Sequence, residues 1–190
     1  MLDRSFYERD SREVAPELLN KLLVMGDGRS GRIVEVEAYR GEADPASHAF
    51  RGRTRRNATM YGQAGHLYVY FTYGMHWCCN AVCGDEGVAL AVLLRALEPV
   101  AGLDAMRDAR PACQRDIDLC RGPARLCQAL GIDGHFDGAD LVRATGGIGI
   151  ADDGTPPPEH PVIATRIGIT RAADEPWRWY VPGSRYISRK

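Results

Sequence analysis

Ile33-Val34-Glu35-Val36-Glu37-Ala38-Tyr39 decides how this chain is read. Its alternation marks a strand, and the period of two puts Val34, Val36 and Ala38 on one face and Glu35, Glu37 and Tyr39 on the other. The first face suits a core. The second places carboxylates beside a phenol, which is the start of a site, although Glu37 taken alone reads more simply as a solvated residue on the polar face of an amphipathic strand.

Two later stretches change that balance. Val88 to Leu97 is apolar on both faces except for Arg95, and a buried guanidinium without a partner costs several kcal/mol, roughly. Arg95 therefore needs an anion: Glu35 or Glu37 as a structural ion pair, or a phosphate or carboxylate-bound water in function. Between these strands, His66 to Trp77 concentrates aromatic residues. Tyr68 and Tyr70 share a face, while Tyr73 has the opposite parity beside Gly74, where a hairpin should turn. A plain core favours Leu, Val and Phe, whereas each buried tyrosine hydroxyl must find a partner, so the segment reads as a pocket that stacks a flat polar ring. Asn80 is either a satisfied core amide or a reader of a ring edge. Together these residues suggest hydrolytic chemistry beside a bound ring.

Outward from this centre, helices are expected over Glu13–Leu23, with Ser11 as cap, over Gly102–Arg110 and over Pro123–Leu130, the last with Pro123 in its first turn and Gly131 just past its end. Gly26–Gly31 is a turn, 66–83 a hairpin, 88–97 a buried strand, and Val162–Ile169 and Trp179–Val181 are late strands. The polar loop Gly41–Gly65 is long for an idle connection and so is a candidate for function. The expected architecture is an α+β single domain spanning residues 1–190, with a mixed, largely antiparallel sheet flanked by helices and a protruding β-hairpin.

The chain has 190 residues and 45% hydrophobic content, enough for one sizeable core and short for two. Neither a signal sequence nor a membrane-spanning run is evident, so a cytoplasmic location is expected. The six cysteines include no Cys-x-x-Cys pair and read as reduced thiols. A net charge of -1 does not advertise a polyanion partner, but its distribution is uneven. Arg51, Arg53, Arg55 and Arg56 stand together without an acid, Arg178, Arg185, Arg189 and Lys190 lie near the C-terminus, and Lys21 and Lys190 are the only lysines. Guanidinium suits phosphate oxygens.

Other chemistries find less support. His48, His66, His76, Glu37 and the cysteines lack metal-ligand spacing, and Cys113, Cys120 and Cys127, seven residues apart, read as a buried helix face. No nucleophile motif is recognisable, and Gly146-Gly147-Ile148-Gly149 is too short and wrongly placed for a dinucleotide loop. No metal and no cofactor is expected.

Several blocks in order resemble the mammalian-type alkyladenine (3-methyladenine) DNA glycosylase family, here as a bacterial member. They are Arg-Ile-Val-Glu-Val-Glu-Ala-Tyr at 32–39, His48, Leu-Tyr-Val-Tyr-Phe-Thr-Tyr-Gly-Met at 67–75, Leu-Leu-Arg-Ala-Leu-Glu-Pro at 93–99, Leu-Cys-Arg-Gly-Pro-Ala-Arg-Leu-Cys-Gln-Ala-Leu-Gly-Ile at 119–132 and Trp-Tyr-Val-Pro-Gly-Ser at 179–184. The resemblance implies a monomeric, monofunctional base-excision-repair enzyme whose partner is double-stranded DNA containing damaged purines: 3-methyladenine, 7-methylguanine, and by extension hypoxanthine and ethenoadenine. It implies that Glu37 is the general base, that Arg95 holds the attacking water, that Tyr39, His48 and Tyr70 line and stack on the flipped base, and that Asn80 meets its edge. Tyr73, with Met75 beside it, would enter the minor groove, and Arg53 and Arg56 would contact phosphates. The rivals are a non-catalytic lesion-binding protein and a nucleoside hydrolase. His76 and Arg55 depart from the family pattern, which bears on lesion preference and loop geometry.

Overall fold

Register, more than any single motif, positions the side chains of this molecule. The structure, a computed structural model, describes residues 1–189. Eight strands form one sheet: β1 (Leu22–Met25), β2 (Ser30–Arg40), β3 (Leu67–Thr72), β4 (His76–Cys83), β5 (Leu90–Ala101), β6 (Ile148–Ala151), β7 (Val162–Ala164) and β8 (Arg178–Tyr180). Their main path runs β3-β4-β5-β2-β1-β6, with β8 joining β2 and β7 joining β8, and the strand pairings described are antiparallel. The largely antiparallel sheet and the hairpin at 67–83 are as the sequence suggests.

Residues opposite one another on paired strands point to the same face. One face carries Val69, Cys79, Ala81, Val92, Leu94, Val36 and Ala38, all in the main core. It is covered by α2 (Ser11–Leu18), which buries Val14, Ala15 and Leu18, and by α4 (Pro123–Leu130), which buries Leu126, Cys127, Ala129 and Leu130. The short α1 (Arg4–Tyr7) and α3 (Leu103–Ala109) complete the layer, burying Tyr7 and Met106. Tyr68↔Asn80, Asn80↔Leu93 and Leu93↔Glu37 form one row on the opposite face, across four strands.

Several boundaries differ from the expectation. The helix expected over Glu13–Leu23 stops at Leu18, because Asn20 takes a left-handed φ of 68° and Leu22 enters β1. Its cap is Asp10, whose carboxylate accepts from the Arg12 amide, rather than Ser11, whose hydroxyl donates to the Tyr39 carbonyl. The strand expected over 162–169 is only Val162–Ala164, and the chain then loops back over the sheet. The Gly146–Gly149 stretch leads into β6. Cys113, Cys120 and Cys127 do not share a helix face: only Cys127 is helical, Cys113 is half-buried in a turn, and Cys120 is buried beside the Ala96–Arg121 bridge. Among the described residues, no helix is long and apolar enough to cross a membrane.

Candidate active site

Glu37 sits in the row just described, and β8 closes over it from the other edge, with Arg178 opposite Glu37 and Tyr180 opposite Glu35. β2 is thus flanked on both sides at this point, and the solvated reading of Glu37 fails: Glu35 and Glu37 are both 0% exposed. Arg95 reaches them from a bulge. The β2–β5 register steps from Ile33↔Leu97 to Glu35↔Ala96 and then to Val36↔Leu94, leaving Val34 and Arg95 each without an opposite residue. Paired irregularities of this kind re-aim side chains while restoring the register beyond them.

The Arg95 guanidinium is divided among its neighbours. Nη1 lies 3.1 Å from Glu37 Oε1, Nε donates to Glu35 Oε1 at 3.2 Å, and Nη2 donates to Ser188 Oγ at 3.2 Å. Glu37 Oε1 also accepts from the Ile167 amide at 2.7 Å, while Oε2 accepts from the Tyr39 hydroxyl at 2.9 Å. Burial pushes the Glu37 carboxyl above its ordinary range, against the pull of Arg95, the Ile167 amide and the Tyr39 hydroxyl and with a small further push from Glu35. Burial also raises the Tyr39 phenol, as do Glu37 and its hydrogen bond, so Tyr39 is a donor to Glu37 and not a competing anion.

Beside this cluster opens a cavity of about 460 Å³, within the range of small-molecule sites; Tyr39, Arg95 and Ile167 reach its lining, while Glu37 lies buried directly behind them. Tyr39, His48, Tyr68, Tyr70, Asn80 and Arg95 line it. Tyr68 and Tyr70 stack at 5.5 Å, and the His48 ring stands edge-on to Tyr70 at 4.5 Å with Nδ1 3.1 Å from the Tyr68 hydroxyl. Loss of hydration on the inner side of His48, with the nearby Arg56 charge, holds its imidazole below the usual range and therefore neutral near pH 7. Asn80 Nδ2 donates to the Tyr68 carbonyl at 3.2 Å, which fixes the amide plane in the wall. Cys78 shares that wall, and burial pushes its thiol up to about 11.

The hairpin tip stands at the rim. Tyr73 and Met75 are 83% and 67% exposed, and Tyr73 holds a left-handed φ of 52° before Gly74 at 67°. Arg56 is docked near the same rim, Nη2 donating to the Phe71 carbonyl at 3.0 Å with its guanidinium 5.7 Å from the Tyr70 ring. Arg53 is not brought to the cavity; its guanidinium lies over Tyr61 instead, at 5.9 Å.

Other residues escaped the sequence reading. Arg166 and Asp44 form a fully buried ion pair, Nη2 to Oδ1 at 2.9 Å, and Arg166 lies between the rings of Tyr39 (4.7 Å) and Trp177 (4.9 Å). It joins the loops carrying His48 and Ile167 on either side of the cavity. Buried Asn57 donates to the His48 and Gly52 carbonyls and accepts from the Thr54 amide, shaping the arginine loop. Arg171, exposed on the cavity lining, is a further cation at the mouth. None of the four has a periodic signal, since each acts from an irregular segment. Arg178, counted in the sequence with the C-terminal cations, is instead buried and paired with Glu35 at 3.0 Å.

A family model described as methylpurine-DNA glycosylase matches residues 5–185. The chain belongs to the methylpurine-DNA glycosylase family. It is a DNA glycosylase, a hydrolase of N-glycosyl bonds in base excision repair. A relative in Burkholderia lata is 61% identical over 188 residues, covering 99% of this chain and 91% of its own. Relatives in Methanoculleus marisnigri (51% identical, 100% of this chain and 99% of theirs) and Carboxydothermus hydrogenoformans (48%, 100% of both) are matched as fully. All three are named "Putative 3-methyladenine DNA glycosylase". The family acts on damaged DNA, which gives the aromatic cavity, exposed hairpin tip and buried Glu37–Arg95 pair of this glycosylase a common context.

Proposed function

We propose that this glycosylase excises 3-methyladenine and 7-methylguanine from duplex DNA as a monofunctional, single-domain monomer, with Glu37 activating the attacking water. One observation carries the reading: Arg95, in the lining of a cavity walled by stacked tyrosines, lies 3.1 Å from the carboxylate of Glu37, which is fully buried just behind that lining.

Glu37 Oε1 accepts from the Ile167 amide and has the Arg95 guanidinium 3.1 Å away, whereas Oε2 serves only the Tyr39 hydroxyl. Oε2 is the less crowded of the two oxygens and is the one that takes up a water on this reading. That water attacks C1′ while the N-glycosidic electrons pass to the base. Glu37 takes the proton, and the products are the free base and an abasic sugar bearing the new hydroxyl. The carboxylate also stabilises the positive charge that develops on the sugar. An N-alkylated purine is cationic before cleavage and neutral after it, and so leaves readily. Its charge also suits a stack against the Tyr70 and Tyr39 rings. Neutral purines such as hypoxanthine and ethenoadenine need a proton in addition and are the slower substrates on this reading.

The base must leave the helix to reach Glu37. Tyr73, at the exposed tip with Met75 beside it, is the wedge, and Arg56 and Arg53 are phosphate contacts. The deciding assay incubates methylated duplex DNA with the protein and a chelator and follows released purines. Release by wild type and not by Glu37→Gln is expected. Binding without release by either protein favours a lesion sensor, and equal release by both removes Glu37 from the chemistry. Tyr73→Ala should lose duplex activity, whereas a hydrolase of free nucleosides would keep its rate.

A further inference from the structure

We propose that Glu35 is a positioning residue for the reaction: it fixes the plane of Arg95 and, with the C-terminal Ser188, sets the charge balance under Glu37. This rests on the reading of Glu37 as the base.

Glu35 faces no cavity and touches no substrate position, yet it is among the most heavily hydrogen-bonded carboxylates in the molecule. Oε1 accepts from Arg95 Nε (3.2 Å), Arg178 Nη1 (3.0 Å) and the Ser188 hydroxyl (3.0 Å), and Oε2 accepts from the Ser188 amide (2.5 Å). The Ser188 hydroxyl in turn accepts from Arg95 Nη2. Two edges of the Arg95 fork are thereby held by Glu35 and Ser188, which places Nη1 3.1 Å from Glu37 Oε1. A planar guanidinium held at two edges has a fixed third edge.

The charges count as a unit. Glu35 and Glu37 face Arg95 and Arg178, two anions against two cations. The other groups around Glu37 are the Tyr39 hydroxyl on β2 and the Ile167 amide, both donors, with Arg166 behind Tyr39 and the neutral Cys78 thiol on β4 beyond Arg95. Arg166 is already matched by Asp44, so Glu35 is the anion of this set that acts on Glu37, and it pushes Glu37 toward protonation. Without that charge Arg95, 3.1 Å from Glu37, would act on Glu37 undivided and favour its ionised form. Glu35 thus keeps Glu37 a stronger base than Arg95 by itself would allow.

The test is the pH dependence of kcat/KM for purine release from methylated duplex DNA, with folding checked by thermal melting. In wild type an acid limb reports Glu37, and in Glu35→Gln that limb should move to lower pH, the sign expected when a neighbouring like charge is removed. Ser188→Ala keeps the carboxylate but loses one anchor of Arg95. It should leave the limb in place and lower kcat by about tenfold with KM little changed. A limb present in wild type, absent in Glu37→Gln and unmoved in Glu35→Gln would overturn the role of Glu35 alone. No acid limb in wild type, or one that survives Glu37→Gln, would overturn the reading of Glu37 and the proposal with it. Should Glu35→Gln fail to fold, an unchanged kcat in Ser188→Ala overturns the proposal.

Discussion

Glu37 takes a proton from water only when ionised, so activity must fall as pH drops through its pKa. Burial places that pKa above the ordinary carboxylate range, and the acid limb of single-turnover excision should therefore lie above about pH 4.5, near which a free glutamate titrates. The same shift works against the fold: stability from protonated Glu37 is present below the ordinary value and lost as pH rises through the raised one. Replacing Glu37 with Gln should lower the excision rate by about 10²-fold or more, the usual weight of a general base. Arg95→Lys should be nearly as damaging despite keeping the charge, since one ammonium cannot serve Glu35, Ser188 and Glu37 in their three directions. Quantifying released base from methylated duplex checks both, and a Lys variant with wild-type kcat would refute the fork argument. Glu37 and Arg95 were legible in the sequence because each breaks an apolar strand pattern, and a charge in such a place demands a partner. Asp44 and Arg166, buried just as completely, break no pattern at all.

Loops that hold the cavity open need rigid ties, since the sheet fixes only its floor and one wall. Arg166 supplies such a tie between the 44–48 and 165–171 segments, through Asp44 and the Ala38 carbonyl. Asp44→Asn keeps the shape but leaves a buried guanidinium uncompensated, so it should cost about 3–5 kcal/mol in urea unfolding; a loss under about 1 kcal/mol would mean that Arg166 is solvated on another path. At the hairpin the expectation is the reverse. Tyr73 buries little, so Tyr73→Ala should leave stability within about 0.5 kcal/mol of wild type while abolishing excision from duplex DNA. Strands long enough for several cross-strand pairs, β2 to β5, could be read from the sequence, β2 and β3 by their alternation and β5 as an apolar run on both faces. β1 and β6, of four residues each, could not: Leu18, Leu19 and Leu22 fit a helical spacing as well as they fit a helix end followed by a strand, and Asn20 decides between them by its backbone alone. The Glu35–Ser188 contact, 153 residues apart in sequence, was beyond any local signal.

A net charge of -1 is unusual for a DNA enzyme, and the arrangement of charge over the whole molecule resolves the tension. Many acids are tied up within the fold: Asp10, Asp27, Asp116, Asp118, Asp140, Asp152 and Asp153 each pair with an arginine or lysine. Along the 51–56 loop and at the cavity mouth the balance differs. Arg51, Arg53 and Arg55 are exposed and form no ion pair among the described residues, Arg56 spends one nitrogen on the Phe71 carbonyl, and Arg171 stands at the mouth. Asp85 and Glu86 follow the far end of β4, whose eight residues span about 26 Å from the hairpin tip. Binding to undamaged duplex should therefore weaken with salt in spite of the net charge, since phosphates meet the local field and not the sum. Arg56 and Arg171 should matter most, being at the cavity, and Arg53 less, being turned to Tyr61. In a plot of log Kd against log salt, Arg56→Ala and Arg171→Ala should each reduce the slope by about 0.9, the contribution of one phosphate contact. Arg53→Ala should change it by less than half of that. A full loss at Arg53 with none at Arg56 would place the DNA track along the outer side of the 51–56 loop, away from the hairpin tip, and would require a different wedge from Tyr73.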